Sequence, residues 1–305
     1  MSDQDKRNFS EYPDEVNLKE IYFAILESKI FIAWMIAAFT LFGLIYSLWL
    51  PKIWTSTALL TVSESSSSSF QSSSSLGGLA SIASLGMSNG NSIKGSKAIA
   101  TAQSREFFDH LLTFDTVLPN LMAAKGFDSK KRETIFYSNM YDGSKKAWSN
   151  GSGPPNWVAY KIFRKNMSID FDPKSNFVTI SIHHRSPEFA RFFLDLIIEQ
   201  LNLLSRERAL QQSQASLDYL YKELSSFQLN DVRLATSQLI ETQLKTQMLA
   251  RVKVDYALES LDRPFTPMER SSPQRKKITL LFIMLGILSS LFWVLGKYFA
   301  QKNIN

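Results

Sequence analysis

The chain has 305 residues, a formal net charge of +6, 45% hydrophobic residues and no cysteine. The missing cysteine excludes a disulfide scaffold, and it permits an oxidising compartment without demonstrating one. Positive charge gathers between residues 51 and 277. Anionic lipid or an acidic polymer are therefore plausible neighbours, a solvated basic surface is the commoner explanation, and no nucleic-acid partner is expected.

Asn17-Leu18-Lys19-Glu20 has the form of a capping box, and Leu18, Ile21, Tyr22 and Ile25 recur at helical spacing. A short helix is expected there, lying on a membrane or running straight into the next segment. That segment is the uncharged run Ile30 to Leu50, and near the other end stands a second uncharged run, Ile278 to Gly296. Each is long enough to cross a bilayer core of about 30 Å as one helix at about 1.5 Å per residue. Trp34, Tyr46, Trp49 and Trp54 mark the first run, and Trp293 and Tyr298 the end of the second, as interfacial aromatic belts do. A signal peptide fits poorly, since a polar tail precedes the first run and Pro51 comes directly after it. The expected layout is a tail 1–29, a span 30–50, an extramembrane domain 51–277, a second span 278–296 and a tail 297–305. Lys and Arg flank both sides of the spans, so charge leaves the orientation open.

Within the domain, Thr55 to Val62 has strand character. Residues 63–95 are rich in serine and glycine, the composition of a mobile loop. Ser104 to Leu121 predicts one amphipathic helix with Phe107, Phe108, Leu111 and Leu112 on its apolar side, and Ser144 to Trp157 a surface turn or insertion. Met167 to Asp172 and Phe177 to His183 alternate with the strand period around a turn at 172–176. They predict a hairpin that joins the strand near Val62 in a small sheet.

Glu188 to Arg263 holds no glycine or proline and is rich in helix formers. Leu217, Leu220, Leu224 and Phe227 step by three, four and three, as a heptad seam does, and the seam falters at Asn230-Asp231, where a bend into a second helix is expected. These long helices pack on the sheet and on each other, or extend outward and line contacts between subunits. Pro264, Pro267 and Pro273 end the helical region and form a semi-rigid connector at 264–273 into the second span.

Signs of chemistry are few. The histidines are His110, His183 and His184, and the adjacent pair points to opposite faces of a strand, poorly placed to share a metal. Gly90 to Lys97 reads G-N-S-I-K-G-S-K, a near miss for a phosphate loop without the strand that should precede it, and is taken as flexible loop. No catalytic residue, metal ligand or cofactor site is expected, and the chain is not expected to be an enzyme.

Taken together, the parts resemble the Wzz-type chain-length determinants, or polysaccharide co-polymerases. Glu15 to Ile21 before the first span and Pro51 to Ala58 after it look like that family's domain start, with Trp54 where tyrosine is more usual. Val178 to Ile182 with Ser186 to Ala190 looks like its strand and long helix, and Ser272 to Arg275 like its proline-rich segment. The proline segment is sparse, and Gly286 and Gly296 are few glycines for the second span. The resemblance implies an α+β membrane protein with two transmembrane helices flanking a periplasmic domain, which combines a small membrane-proximal sheet with long coiled-coil-like helices. It implies cytoplasmic termini in the inner membrane, a homo-oligomer, and control of how many units a Wzy-type polymerase adds to a lipid-linked glycan. On that reading Pro264, Pro267, Pro273 and Gly286 are regulatory or partner contacts. Gly286 would let another helix approach, such as the polymerase's own, unless it merely faces lipid while the prolines only stop a helix. An adaptor for capsule or exopolysaccharide export shares this layout. A two-span sensor would need an output module that the tail after Lys297 does not offer.

Overall fold

The structure is a computed structural model and describes residues 26–63, 90–224 and 230–302. The capping-box helix at 17–25, most of the serine-rich stretch and Phe227 lie outside the described residues. The chain forms two compact units, one made of 1–50 with 272–305 and the other of 51–271.

In the first unit, α1 (Lys29–Trp49) and α8 (Arg275–Lys302) pack on each other. Both are long and apolar enough to cross a membrane. The first ends one residue earlier than its apolar run, because Leu50 takes an extended conformation (φ −67°, ψ 140°) ahead of Pro51. A proline in the next position disfavours the helical region.

The second unit is built on an antiparallel four-stranded sheet in the order β6 (Met167–Asp172), β7 (Phe177–His184), β1 (Trp54–Val62), β8 (Leu258–Asp262). β1 and β7 pair from Trp54↔His184 to Thr61↔Phe177. The β6–β7 turn is held by Asp172, whose carboxylate accepts from the Lys174 N–H and the Ser175 hydroxyl. Those bonds also hold its carboxyl below the ordinary carboxylate range. Alternation puts Ala58, Leu60, Val178, Ile180 and Ile182 on the covered face. The long helix α6 (Pro187–Leu224) crosses it, joined by α2 (Gly90–Ala102), α3 (Arg105–Leu111) and α5 (Asn156–Asn166). Phe163 stacks on Phe108 and meets Phe193 edge-on, forming an aromatic layer in the core. Each large side chain so buried contributes about 1.5–3 kcal/mol.

Several sequence expectations are corrected. The single helix over 104–121 is two, α3 and α4 (Val117–Ala123). Thr113 Oγ1 donates to the His110 carbonyl at the first helix's end, and Pro119, which lacks an N–H, is tolerated only in a first turn. Gly90 to Lys97 is not loop but the start of α2. Gly95 lets that helix lie against the sheet, since a Cβ there would fall 2.8 Å from Phe171 and 2.9 Å from Val62. The helical region ends at Val252 instead of Arg263, and 258–262 is a strand. The insertion near 144–157 belongs to a lobe of two small hairpins. One pairs β2 (Ala124–Asp128) with β3 (Glu133–Phe136), the other β4 (Tyr141–Asp142) with β5 (Ala147–Trp148).

His184 pins α4, the helix that leads into this lobe, to the sheet. Its Nδ1 accepts from the Ser186 N–H at 3.0 Å, so Nε2 carries the proton and donates to the Asn120 carbonyl at 2.9 Å. Burial pushes the imidazole down to about 4. A depressed histidine contributes stability that is fully present above its ordinary value near 6.5 and lost as pH falls toward 4. At about 1.4 kcal/mol per unit the loss amounts to ~3 kcal/mol. Thermal unfolding of the full chain in detergent should therefore drop between pH 7 and pH 4.5. His184→Gln should start lower at pH 7 and lose less over that range; equal losses would remove His184 from the acid response.

Candidate functional surfaces

α1 and α8 meet through small residues. A Cβ on Gly43 would stand 2.7 Å from the Phe282 side chain, and one on Gly286 would stand 3.2 Å from both the Ile36 backbone and Phe39 Cβ. The close approach that Gly286 permits is thus made to α1 of the same chain. Gly296 has nothing within 4 Å of a would-be Cβ. Phe42 against Phe282 (5.7 Å between ring centroids) and Phe31 against Trp293 (6.4 Å) extend the contact along the pair. Because the natural chain has no cysteine, a Phe31→Cys, Trp293→Cys pair reports this packing without background. It should cross-link within one chain, and Gly43→Leu should cut the yield severalfold. An unchanged yield would mean that the helices do not meet along this face.

α6 and α7 (Asn230–Val252) form an antiparallel arm, with Gln247 Nε2 donating to Gln214 Oε1 at 2.9 Å. At about 1.5 Å per residue, the 38 residues of α6 reach ~57 Å. Its first half is embedded in the core, while its second half buries Ser213 and Leu217 against α7, which contributes Thr236, Ile240 and Ala250. Leu217 lies inside this arm, whereas Leu220 and Leu224 are half-buried. Leu220 lines a groove of about 480 Å³ together with Tyr219 and Leu239.

The connector is tied to β1 at two points. The Ser56 hydroxyl donates to the Phe265 carbonyl at 2.9 Å, and the Ser271 N–H donates to the Ile53 carbonyl at 2.9 Å. Pro264, Pro267 and Pro273 are buried, while Phe265 and Met268 face outward.

Asn202 was not visible as a key residue in the sequence. Buried on α6, it accepts from the Ala257 and Leu258 N–H groups and donates to the Leu258 carbonyl, holding the chain at the point where it turns from arm to β8. Only its position in the glycine-free run, as an amide among apolar neighbours, could have drawn notice. Asn202→Ala leaves several buried backbone groups unpaired, at about 1–3 kcal/mol each. Hydrogen exchange should accelerate at the Leu258 amide well before it does at Ile180; parallel acceleration would indicate global loss of stability and no local clamp.

The three histidines are all committed. His110 Nε2 bonds Gln200 Oε1 at 2.9 Å, His183 Nδ1 bonds the Thr55 hydroxyl at 2.7 Å, and His184 is bonded as described. Among the described residues no group of three or more metal-ligating side chains comes together.

One open cleft of about 930 Å³ lies in the hairpin lobe, between the end of α4 and residues 133–149. Phe136, Tyr141 and Trp148 form an edge-to-face series along it, with centroids 5.1 and 5.2 Å apart. Asp142 Oδ1 accepts from the Ser144 and Lys145 N–H groups, and the Ser149 hydroxyl donates to the Ser138 carbonyl.

Among known proteins, no curated one matches. The chain is similar to a full-length bacterial polysaccharide co-polymerase, at 15% identity and a TM-score of 0.38 over 95% of this chain and 99% of that one. It is also similar to a fragment of WzzB, a polysaccharide co-polymerase from Salmonella Typhimurium, at 14% identity and a TM-score of 0.29 over 73% and 100% of the two chains. Residues 14–111 match the family model Wzz, chain length determinant protein. This stretch holds the segments on either side of the first apolar helix that carried the resemblance, so the chain is similar to the Wzz chain length determinant family over residues 14–111.

Proposed function

We propose that this protein sets the chain length of lipopolysaccharide O-antigen or a related surface glycan, as an oligomeric, non-catalytic inner-membrane partner of a Wzy-type polymerase. The observation that carries this reading is the chain-length-determinant match over 14–111, in a chain whose large α/β unit is bracketed by two apolar helices. In this reading α1 and α8 cross the inner membrane over 30–50 and 278–296, the tails 1–29 and 297–305 are cytoplasmic, and 51–277 is periplasmic. The arm takes part in subunit contacts.

Glycan length profiling in a deletion strain is the decisive test. A randomised or shifted length distribution, restored by the gene, is expected. Lost surface display with normal synthesis would replace this reading with an export adaptor. Reporter fusions after Ser149 and after Asn305 should place the first in the periplasm and the second in the cytoplasm, and a cytoplasmic Ser149 would overturn the topology.

The connector is proposed to relay the state of the periplasmic unit to the second span. Three buried prolines and the Ser56 and Ile53 bonds make it stiff. Pro267→Ala with Pro273→Ala, and separately Gly286→Leu, should shift glycan length with polymer still made. Wild-type length in both would remove this region from the mechanism, and total loss of polymer would argue for a role in synthesis itself.

A further inference from the structure

The lobe at 124–149 shows in the sequence only as the insertion at 144–157, yet it carries the larger of the two clefts described, about 930 Å³. That volume is at the upper end of the ~300–1,000 Å³ of small-molecule sites. Its lining differs from the usual apolar pocket. One wall is the aromatic series Phe136, Tyr141 and Trp148. Apart from Gly143 and Ala147 the rest is hydroxyl, amide and charged side chains, with the acidic Glu133 and Asp142 set against the single cation Lys145.

This chemistry selects a class of ligand. A polyanion would need an excess of Lys and Arg, and a lipid chain would need a predominantly apolar wall. A sugar needs what the cleft offers. Its C–H face packs on the electron-rich face of an aromatic ring, and its hydroxyls both donate and accept, matching the Asp142 carboxylate, the Asn120 amide and the Ser149 hydroxyl. The wall is preorganised. Tyr141 is buried between Phe136 and Trp148, a Cβ on Gly153 would meet Trp148 Nε1 at 3.1 Å, and the Asp142 bonds fix the facing turn. Because the cleft is open along its length, a polymer could lie across it without threading an end.

We infer that the cleft formed by Asn120 and the 133–149 hairpins is a binding subsite for a segment of uncharged, hydroxyl-rich oligosaccharide, with Trp148 as the stacking platform. The inference rests on the glycan-length reading for the source of the sugar, and its test is independent of that reading.

The full-length protein in detergent is labelled with 5-fluorotryptophan, which gives signals from six tryptophans. The Trp148 signal is assigned by its loss in Trp148→Phe. The probe is surface polysaccharide from the parent strain, freed of lipid by mild acid. Saturable displacement of the Trp148 signal, with that of Trp157 unmoved, is expected. Glu133→Gln with Ser149→Ala, at exposed positions, should weaken apparent affinity at least threefold while leaving the unliganded signals of the other five tryptophans unchanged. A Trp148 signal unmoved by polysaccharide up to millimolar repeat units overturns the proposal, as does one that moves only with phospholipid micelles. If Trp148 responds while the deletion strain keeps wild-type glycan length, the subsite stands and the length-control reading fails. If deletion alters length but Trp148 never responds, the reading stands and the subsite fails.

Discussion

The constraint on which the larger unit depends is that its two chain ends are neighbouring strands. β1 begins five residues after α1 ends, and β8 closes shortly before α8 begins. The two strands pair antiparallel, with Val62 opposite Leu258 and Leu59 opposite Asp262. The connector then continues along β1, tied at Ser56 and Ile53. The first and last strands of this unit are thus hydrogen-bonded to each other. Separating them would break the β1–β8 ladder and expose Leu258, which is 1% accessible.

The arm is attached to the same place. α6 sends Asn202 to the 257–258 backbone, and α7 returns to within a few residues of β8. The arm thus meets the edge strand directly, and the connector follows that strand in the chain. The histidines are occupied in joining elements, and the depressed imidazole of His184 keeps that joint neutral at physiological pH.

How much was legible in the sequence depends on how local each signal is. Uninterrupted apolar runs, the Asp172-Pro173 turn and the strand alternation on either side of it are patterns within a few residues. They led directly to α1, α8 and the β6–β7 hairpin joined to β1. Pro119 was also a local signal, and giving it more weight would have divided the 104–121 helix. By contrast, 253–263 is composed of residues compatible with a helix, and 258–262 becomes a strand only because Asn202 captures the Ala257 and Leu258 amides and β1 offers a partner edge. Tertiary pairing overrides propensity there. Of the lobe only the turn at 144–157 was legible, for a related reason: its β4 and β5 strands are two residues long, too short for a period to register. At Gly286 the absence of bulk is plain from the residue type, but the identity of its neighbour is supplied only by the packing of α1.

The lobe and the foot of the long helix are joined by consecutive residues. His184 donates to Asn120, Arg185 Nη1 donates to the Ala124 carbonyl and to the Tyr137 hydroxyl, and Glu188 accepts from Arg132. Residues 184–188 are the joint between β7 and α6, so three points of the lobe (Ala124, Arg132 and Tyr137), together with Asn120 on α4, are fastened to one turn of chain. Asn120 belongs both to this joint and to the cleft. The exposed Arg132–Glu188 pair adds little by itself, whereas the imidazole of His184 is buried and loses more if its bond is broken. A ligand that orders the cleft walls would therefore act on the base of α6 through Asn120 and His184, while the arm and the β8 clamp lie further along that same helix. The lobe at the foot of α6, the β8 clamp at Asn202 and the arm beyond it are thus all attached to one continuous helix.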